Sequence, residues 1–408
     1  MYQSNPANII KNQSIVCFAP ERWDSMWRNR HQIMSRLSRT NKVLYIEPGM
    51  YSMQQWMGSV KKTLVSGKLQ NGQLRNISNG LWIYQHPSWG FMSSWPVLNQ
   101  LGSRLRILAI RHAMRKLQMT SPILWIVDPR TITFIKHLKK KLICYHVVDN
   151  YAASPFHPES VREALKQADQ FMLSVADLVI VTSPFLLEEK RKNNANVHLI
   201  KNAVDYEKFA FPHDNRSIPQ DMENIPKPVI GYVGAVNNKL DYKLLDVIAR
   251  ERPQWSFLFV GEIYSNPARS EIKDFLSNIS SNIYLLGRRD VKDVPGYIHA
   301  CDVCIMPYKK DDYTKAIDSL KLYEYFACEK PVVSTDIPAV REYSEALYIA
   351  RDTDDFVRKI EEALVSDNPT HRACRRSIAM QNTWDNRVEQ LSLIIQDSLL
   401  KKQTPYRN

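Results

Sequence analysis

The sequence predicts an α/β protein with two doubly wound domains that face each other across a cleft. Short, continuously apolar runs alternate with amphipathic helical patterns, as parallel strands do when crossover helices join them. The runs lack an alternation of polar residues, as expected for strands covered on both faces. The pattern stops once, in a segment rich in Pro, Asn and Asp at 206–227, and then resumes. A length of 408 residues suits two or three domains.

The first half, residues 1–205, is predicted to form the N-terminal domain. Its predicted strands are Ser14–Phe18, Val43–Glu47, Leu81–Gln85, Ile123–Val127, Leu142–His146, Leu178–Thr182 and Val197–Ile200. Its predicted helices are Arg30–Arg39, Leu101–Leu117 and Ser160–Ala176. Residues 206–227 are predicted to be a linker.

The second half, residues 228–382, is predicted to form the other domain. Its predicted strands are Val229–Val233, Ser256–Val260, Ile283–Leu286, Val303–Pro307, Pro331–Ser334 and Leu347–Ile349. Its predicted helices are Asp241–Arg250, Pro267–Ser277, Val294–His299, Leu320–Cys328 and Thr353–Val365. Residues 383–408 carry a last helical pattern, and we expect that helix to return to the N-terminal domain.

Composition excludes several classes of protein. The 44% content of hydrophobic residues suits large cores and argues against disorder. The chain has no apolar run of about 20 residues, so we expect no transmembrane helix. Its first residues have neither the basic start nor the apolar stretch of a signal peptide, so a cytoplasmic location is expected. The six cysteines include one C-x-x-C, Cys301 to Cys304, which we interpret as buried free thiols and not a metal site.

The most informative segment for chemistry is Asp318–Thr335. Ser319 is a plausible N-cap, and the start of a helix presents free backbone N–H groups that suit a phosphate. Lys321 in the first turn adds a full charge, and the Glu324 carboxylate suits paired hydroxyls such as those of a ribose. The alternative is an ordinary capped surface helix, and the spacing by itself favours neither interpretation.

Two further segments of the second half follow predicted strands. In Ile230–Asp241, Gly234 permits close approach of the backbone to a ligand and Lys239 can neutralise a phosphate. In Leu285–Asp290, a glycine and two arginines, Arg288 among them, suit a base or a phosphate. A tight turn with solvated basic side chains explains both segments equally well.

In the N-terminal half, His146 and Asp149 follow a strand and are candidate proton-transfer groups at the edge of the cleft. The alternative for a lone histidine at a strand end is a structural role. Trp23, Arg28 and His31 also follow a strand, and we expect them to form a wall on the acceptor side. The alternative for these three residues is a loop with ordinary aromatic packing.

Four stretches together resemble a known family: VIGYVGAV, HACDVCIMPY, SLKLYEYFACEKPVVSTDIPAVREY and QNTWDNRVEQL. They are similar to the retaining, family 4-like (group 1) glycosyltransferases, which have the GT-B fold of two Rossmann-like domains facing a cleft. Within that group the chain looks most like bacterial enzymes of cell-surface polysaccharide synthesis, of the teichuronic acid type.

The resemblance implies a nucleotide-diphosphate-sugar donor, held mainly by the second domain, and an acceptor bound by the first. It implies that Glu324 contacts the donor ribose, and that the backbone amides of Ser319 and Leu320 hold the diphosphate. The same donor site would include Gly234, Lys239, Arg288, Asp318 and Lys321, with His146 or Asp149 near the transferred sugar. Transfer would retain the anomeric configuration, and no metal and no other cofactor is expected.

The chain departs from the family pattern at three places. The first Glu of the two-Glu motif is replaced by Ala316, with Asp318 as a possible substitute. The usual Arg after Val233 is absent, and Asn237 and Asn238 lie nearby instead. The glycine-rich first loop is replaced by residues 20–29. These departures leave open an alternative function, a catalytically weak homologue that acts as a binding partner in a polysaccharide assembly complex.

The basic charge is concentrated in the first third of the chain. Of a net charge of +13, the first 127 residues carry all the excess, with 16 basic and 3 acidic groups. Arg104, Arg111 and Arg115 share one face of a predicted helix, near Trp56, Trp82, Trp89, Phe91 and Trp95. Basic and aromatic residues together favour docking on an anionic membrane. A solvated helix face is the alternative; a nucleic-acid partner is not expected, because no recognisable reader motif is present.

We therefore expect a peripheral membrane glycosyltransferase on the inner face of the cell membrane. Its expected partners are a nucleotide-sugar donor, a lipid-linked or polysaccharide acceptor and the anionic membrane surface.

Overall fold

The computed structural model describes residues 9–49, 73–86, 96–154, 157–210, 218–264 and 270–403. Trp56, Trp89, Phe91 and Trp95 lie outside these ranges. The described chain forms two sheets, each flanked by helices, in agreement with the predicted fold class.

The first sheet has eight strands in the order β3-β4-β2-β1-β5-β6-β7-β8. The strands are β1 (Ser14–Phe18), β2 (Lys42–Ile46), β3 (Gln73–Ser78), β4 (Leu81–Gln85), β5 (Ile123–Ile126), β6 (Leu142–Val147), β7 (Leu178–Val181) and β8 (Val197–Leu199). All pairs are parallel except β3 with β4. The sheet is therefore doubly wound about β1, which lies between β2 and β5.

Helices cover both faces of this sheet. They are α1 (Asn29–Leu37), α2 (Pro96–Lys116), α3 (Ile132–Ile135), α4 (Glu159–Val175) and α5 (Pro184–Arg191). Two separate clusters of buried apolar residues lie against the sheet: Ile15 and Cys17 of β1 belong to one, Val16 and Phe18 to the other. This two-sided burial is why the strands read as continuous apolar runs.

The second sheet has six parallel strands in the order β11-β10-β9-β12-β13-β14. They are β9 (Val229–Val233), β10 (Ser256–Val260), β11 (Ile283–Gly287), β12 (Val303–Met306), β13 (Val332–Thr335) and β14 (Tyr348–Ala350). Its helices are α7 (Tyr242–Glu251), α8 (Ser270–Ser277), α9 (Val294–Ala300), α10 (Leu320–Ala327), α11 (Pro338–Arg341), α12 (Thr353–Ser366) and α13 (Pro369–Gln381). A short helix, α6 (Tyr206–Ala210), lies between the two sheets in sequence.

The last helix, α14 (Trp384–Gln403), packs on the first sheet although it follows the second in sequence. Trp384, Val388 and Leu391 are buried in the apolar cluster that contains Ile15 and Cys17. Arg36 of α1 donates to the carboxylate of Asp385 at 3.0 Å. The chain therefore crosses back to the N-terminal half at its end.

Cys301 and Cys304 are both buried as free thiols in the core of the second sheet. Among the described residues, no group of three or more His, Cys, Asp or Glu side chains is placed to hold a metal ion. Within the same ranges, no helix combines the length and the apolar character needed to cross a bilayer.

Candidate functional site

A cleft of about 510 Å³ opens between the carboxyl ends of the two sheets. Its N-terminal wall comes from the loops after β1, β5 and β6, and its opposite wall comes from the loop after β9 and the start of α10. Ligands of doubly wound sheets bind at this edge, because the loops there bring side chains from several strands together. The volume lies within the range of small-molecule sites, about 300–1,000 Å³.

Gly234, directly after β9, makes room for Lys321 of α10. Its φ angle is +147°, which favours glycine, and a Cβ added there would lie 1.8 Å from Lys321 Cε and 2.3 Å from Nζ. The lysine stem therefore crosses directly over the glycine backbone. The close approach that the sequence predicted for a ligand is made by a side chain of the same protein.

Lys239 and Lys321 both line the cleft, and each lies above a buried tyrosine ring. Lys239 Nζ is 5.1 Å from the ring centre of Tyr308, and Lys321 Nζ is 5.4 Å from that of Tyr232. A cation above an aromatic face is attracted by the ring quadrupole. The two rings thus hold two ammonium groups side by side at the wall of the cleft.

The two cations shift the protonation of their neighbours. Burial, and after it the charge of Lys321, lowers the pKa of Lys239 to about 8. Burial on its own would raise the pKa of Tyr308, but the charges of Lys239 and Lys321 outweigh it, and the pKa of Tyr308 lies below its usual value. A bound anion would favour the charged form of Lys239, which burial disfavours, and would balance the positive charge that acts on Tyr308.

Ser319 occupies the N-cap position of α10, as predicted. Its hydroxyl makes no capping hydrogen bond and instead pairs with the Tyr308 hydroxyl at 3.1 Å. The first N–H groups of a helix have no partner within the helix. The start of α10, with Ser319, Leu320 and Lys321 on the cleft, therefore combines backbone donors with a lysine charge.

Asp318 also lines the cleft, but its carboxylate joins the two halves of the chain. It accepts from the backbone N–H of Asn202, in the loop after β8, and from the Tyr323 hydroxyl at 3.1 Å. Burial raises the pKa of Asp318 to about 6. Each carboxylate oxygen thus has a hydrogen-bond partner within the protein. Asp318 was expected to substitute for the missing Glu, but its carboxylate is used to hold the two halves of the chain together.

Neither Glu324 nor Arg288 is among the described residues that line the cleft. Glu324 is half-buried on α10, where burial raises its pKa against the charges of Lys321 and Lys208. Arg288 is exposed, whereas Arg289 donates to Asp221 and to the Tyr297 hydroxyl. The donor contacts expected of Glu324 and Arg288 stay predictions.

The two proton-transfer candidates are placed differently. Asp149 lines the cleft, and burial raises its pKa although Arg28 and Lys239 act in the opposite direction. His146 is buried, at 1% exposure, with its ring edge-on to Trp125 at 5.6 Å. Burial lowers the pKa of His146 to about 3, so the ring is neutral. The structure thus corrects the expected placement of His146 at the edge of the cleft: only Asp149 reaches it.

The wall expected from Trp23, Arg28 and His31 is also corrected. Arg28 lines the cleft with its side chain 44% exposed. Trp23 and His31 are buried behind it, because His31 Nδ1 accepts from the backbone N–H of Arg28 at 3.0 Å and Trp23 packs against Tyr45. The aromatic side chain exposed at this place is Trp27, which the sequence did not single out.

Other residues of the cleft were also not anticipated. Arg30 lines it from the start of α1 and is paired with Glu21. Tyr264, in the loop after β10, lines it from the opposite side. The signal available for Trp27 and Tyr264 was an aromatic residue in the loop that follows a strand.

The predicted membrane-facing arginines lie on the outer face of α2. Arg104, Arg111 and Arg115 are all exposed, and Arg111 also donates to the backbone carbonyl of His137 at 3.1 Å. Between them lie Leu105, 37% exposed, and Leu108, 54% exposed. This outer face of α2 is therefore both basic and apolar.

Comparison with known proteins fits this geometry. Residues 227–366 match the family described as "Glycosyl transferases group 1". The similarity to this family therefore lies in the second half of the chain. The chain is also 33% identical, over 235 residues, to the putative teichuronic acid biosynthesis glycosyltransferase TuaH of Bacillus subtilis (strain 168). That match covers 55% of this chain and only 58% of the relative.

Solved structures of other proteins share the two-sheet fold of the described residues. Anabaena HepE in complex with UDP and glucose superposes with a TM-score of 0.66 at 15% identity, covering 95% of this chain and 100% of that one. Sucrose-phosphate synthase from Thermosynechococcus elongatus gives 0.65 at 15% identity, over 96% and 99% of the two chains. The predicted GT-B fold and the predicted resemblance to group 1 glycosyltransferases are confirmed.

Proposed function

We propose that the protein transfers a sugar from a nucleotide-diphosphate-sugar to a lipid-linked or polysaccharide acceptor during synthesis of a cell-surface polysaccharide. One observation carries the proposal: Lys239, Lys321 and the start of α10 converge on one wall of the cleft. Two cations beside free backbone N–H groups suit a diphosphate. The structure of HepE with UDP-glucose supports the choice of ligand. The Bacillus relative, described as a putative teichuronic acid biosynthesis glycosyltransferase, supports a role in polysaccharide synthesis.

In this mechanism the two lysines stabilise the leaving nucleotide diphosphate. Negative charge develops on the phosphate oxygen as the glycosidic bond to the donor breaks, and pre-placed cations in a water-poor site act on that charge. Lys239 and Lys321 are held on tyrosine rings before the ligand arrives, so their positioning costs little during the reaction. Asp149 lies across the cleft, where its carboxylate faces the transferred sugar. The resemblance to the retaining group 1 glycosyltransferases implies that the sugar keeps its anomeric configuration on transfer.

The acceptor side is assigned to the N-terminal half, and membrane contact to the outer face of α2. Arg104, Arg111 and Arg115 supply positive charge, while Leu105 and Leu108 supply apolar surface that partitions into a bilayer interface. Each basic residue near an anionic membrane contributes ~1 kcal/mol. A lipid-linked acceptor would then be met at the surface where it resides.

The proposal is tested by sugar transfer from a panel of radiolabelled UDP- and GDP-sugars to membranes of a cell-wall-synthesising bacterium. We expect label in the lipid fraction with the wild-type protein, and loss of that label in the Lys239→Gln variant. The matched control is Lys243→Gln, an exposed lysine on α7 outside the cleft. Absence of both transfer and donor hydrolysis with every nucleotide sugar would refute the enzymatic proposal.

Ala316 favours a second candidate, a homologue that binds nucleotide sugars with little catalysis. It stands where the family has its first Glu, and it is fully buried against the apolar cluster of Val16 and Phe18 in the N-terminal half. No carboxylate reaches the sugar from this position. Binding of UDP without measurable turnover, and capture of a polysaccharide-synthesis protein by the full chain, would favour this candidate over the enzyme.

A further inference from the structure

Two aromatic side chains are strongly exposed in the part of the chain that the structure describes: Trp27 at 40% and Tyr264 at 42%. Both line the same cleft, one from each wall. Large aromatic side chains are normally buried, because each removes 150–250 Å² of surface from water on folding. The exposure of these two rings in a cavity of ligand size therefore points to a ligand with a ring of its own.

The indole of Trp27 is held in place from behind. Its ring lies nearly parallel to that of His31, with centres 5.9 Å apart and planes at 19°, and edge-on to Trp23 at 5.5 Å. His31 Nδ1 accepts from the backbone N–H of Arg28, and the backbone N–H of Trp23 donates to the Glu47 carboxylate at 3.0 Å. Burial, followed by the charge of Arg30, lowers the pKa of His31 to about 4, so this stack stays uncharged. One face of the indole is thus backed by protein, and the exposed part turns to the cleft.

We propose that the exposed face of Trp27 is a saccharide-binding platform for the acceptor. Sugar rings present a row of C–H groups on one face, and the negative face of an indole attracts their slightly positive hydrogens. The platform belongs to the acceptor because Trp27 lies on the wall opposite Lys239 and Lys321, which face the donor. This assignment rests on the proposed function. It adds that the part of the acceptor in contact with Trp27 is a pyranose ring.

Arg28 completes the platform beside Trp27. Its side chain is 44% exposed, and its guanidinium lies 3.5 Å from Glu21, so only part of its hydrogen-bonding capacity is used within the protein. Its charge also acts on Asp149 and on Tyr264 across the cleft. An arginine at the edge of an aromatic platform can donate to sugar hydroxyls while the ring holds the apolar face.

The test uses the full-length protein labelled with 5-fluorotryptophan and observed by fluorine NMR. The Trp27 resonance is assigned by its loss in the Trp27→Phe variant. Cellobiose, N,N′-diacetylchitobiose and glucuronic acid serve as saccharide probes, each added with UDP present, and glycerol serves as the control without a ring. We expect at least one saccharide to shift the Trp27 resonance, with glycerol leaving it in place. A Trp27 resonance unmoved by all three sugars overturns the proposal.

Variants provide the second measurement. With the responding saccharide, Trp27→Ala is expected to weaken binding about ten-fold, Trp27→Phe to recover most of it, and the UDP dissociation constant to stay unchanged. Val247→Ala, a 39% exposed apolar residue on α7, is the matched control. Equal saccharide affinity in wild type and Trp27→Ala refutes the platform. Failure of UDP to bind the wild type would instead refute the proposed function, while the Trp27 resonance still decides the platform.

Discussion

Nucleotide binding should depend on pH through Lys239. Burial and the neighbouring Lys321 lower the pKa of this ammonium to about 8 in the free protein. A bound diphosphate favours the charged form and so raises that pKa toward the usual lysine value, about 10.4. Affinity is therefore fully present below pH 8 and is lost as pH rises toward the pKa of the complex.

The magnitude follows from the fraction of charged lysine. At pH 7.5 most Lys239 side chains of the free protein are charged, and at pH 9 about one in ten is. The UDP dissociation constant should therefore rise roughly ten-fold between these values. Below pH 7.5 the second ionisation of the terminal phosphate, near pH 6, would interfere.

Isothermal titration calorimetry with UDP measures this directly at several pH values. Lys239→Arg is the decisive variant, because arginine stays charged throughout this range and should flatten the profile. Lys243→Arg, outside the cleft, should keep the slope of the wild type. A flat profile in the wild type, or an unchanged slope in Lys239→Arg, would refute the assignment of Lys239 to the diphosphate.

Three further predictions concern other parts of the molecule. Gly234→Ala would place a Cβ 1.8 Å from Lys321 Cε and force that lysine side chain away from its position. The affinity for UDP, measured by calorimetry, should therefore fall about ten-fold, and the affinity for uridine should stay unchanged. Replacing Arg104, Arg111 and Arg115 by Glu should lower the affinity for anionic liposomes, measured by sedimentation, about a hundred-fold. The control replaces three basic residues of the second domain, Lys243, Arg358 and Arg376, and should leave that affinity unchanged. Equal loss of affinity in both triple variants would contradict a docking face on α2. Burial lowers the pKa of His146 to about 3, so its neutral ring contributes fully to the free energy of unfolding above pH 6.5. Below that pH the contribution falls by at most about 1.4 kcal/mol per pH unit. His146→Phe should therefore make the thermal unfolding midpoint less sensitive to acid, and an unchanged sensitivity would argue against burial of this ring.

The fold was predictable because its signals are local. Continuous apolar runs such as Ile123–Ile126 and Ser256–Val260 are buried on both faces, and their boundaries in the structure agree with prediction to within about one residue. β3 was missed because Gln73–Ser78 is an exposed edge strand with a polar sequence. α13 was missed because Pro369–Gln381 carries mostly polar residues with a weak apolar stripe.

The site was predictable only in part. Lys239, Lys321 and Ser319 follow strand and helix boundaries, so the sequence placed them on the cleft. Trp27 is exposed at the cleft and Trp23 is buried, whereas the sequence predicted Trp23 at the cleft. This arrangement depends on the hydrogen bond from the backbone N–H of Arg28 to His31, which sequence spacing does not reveal. The Asp318 contact with Asn202 joins residues 116 positions apart, so it depends on how the two halves meet.

The central claim is that the two lysines at the cleft wall bind the donor diphosphate. It is tested most directly by UDP titration of the wild type, of Lys239→Gln, of Lys321→Gln and of the double variant. The structure predicts that each single variant weakens UDP binding about ten-fold and that uridine binding stays constant, because charge-assisted contacts to phosphate are lost. UDP affinity unchanged in the double variant would contradict the claim.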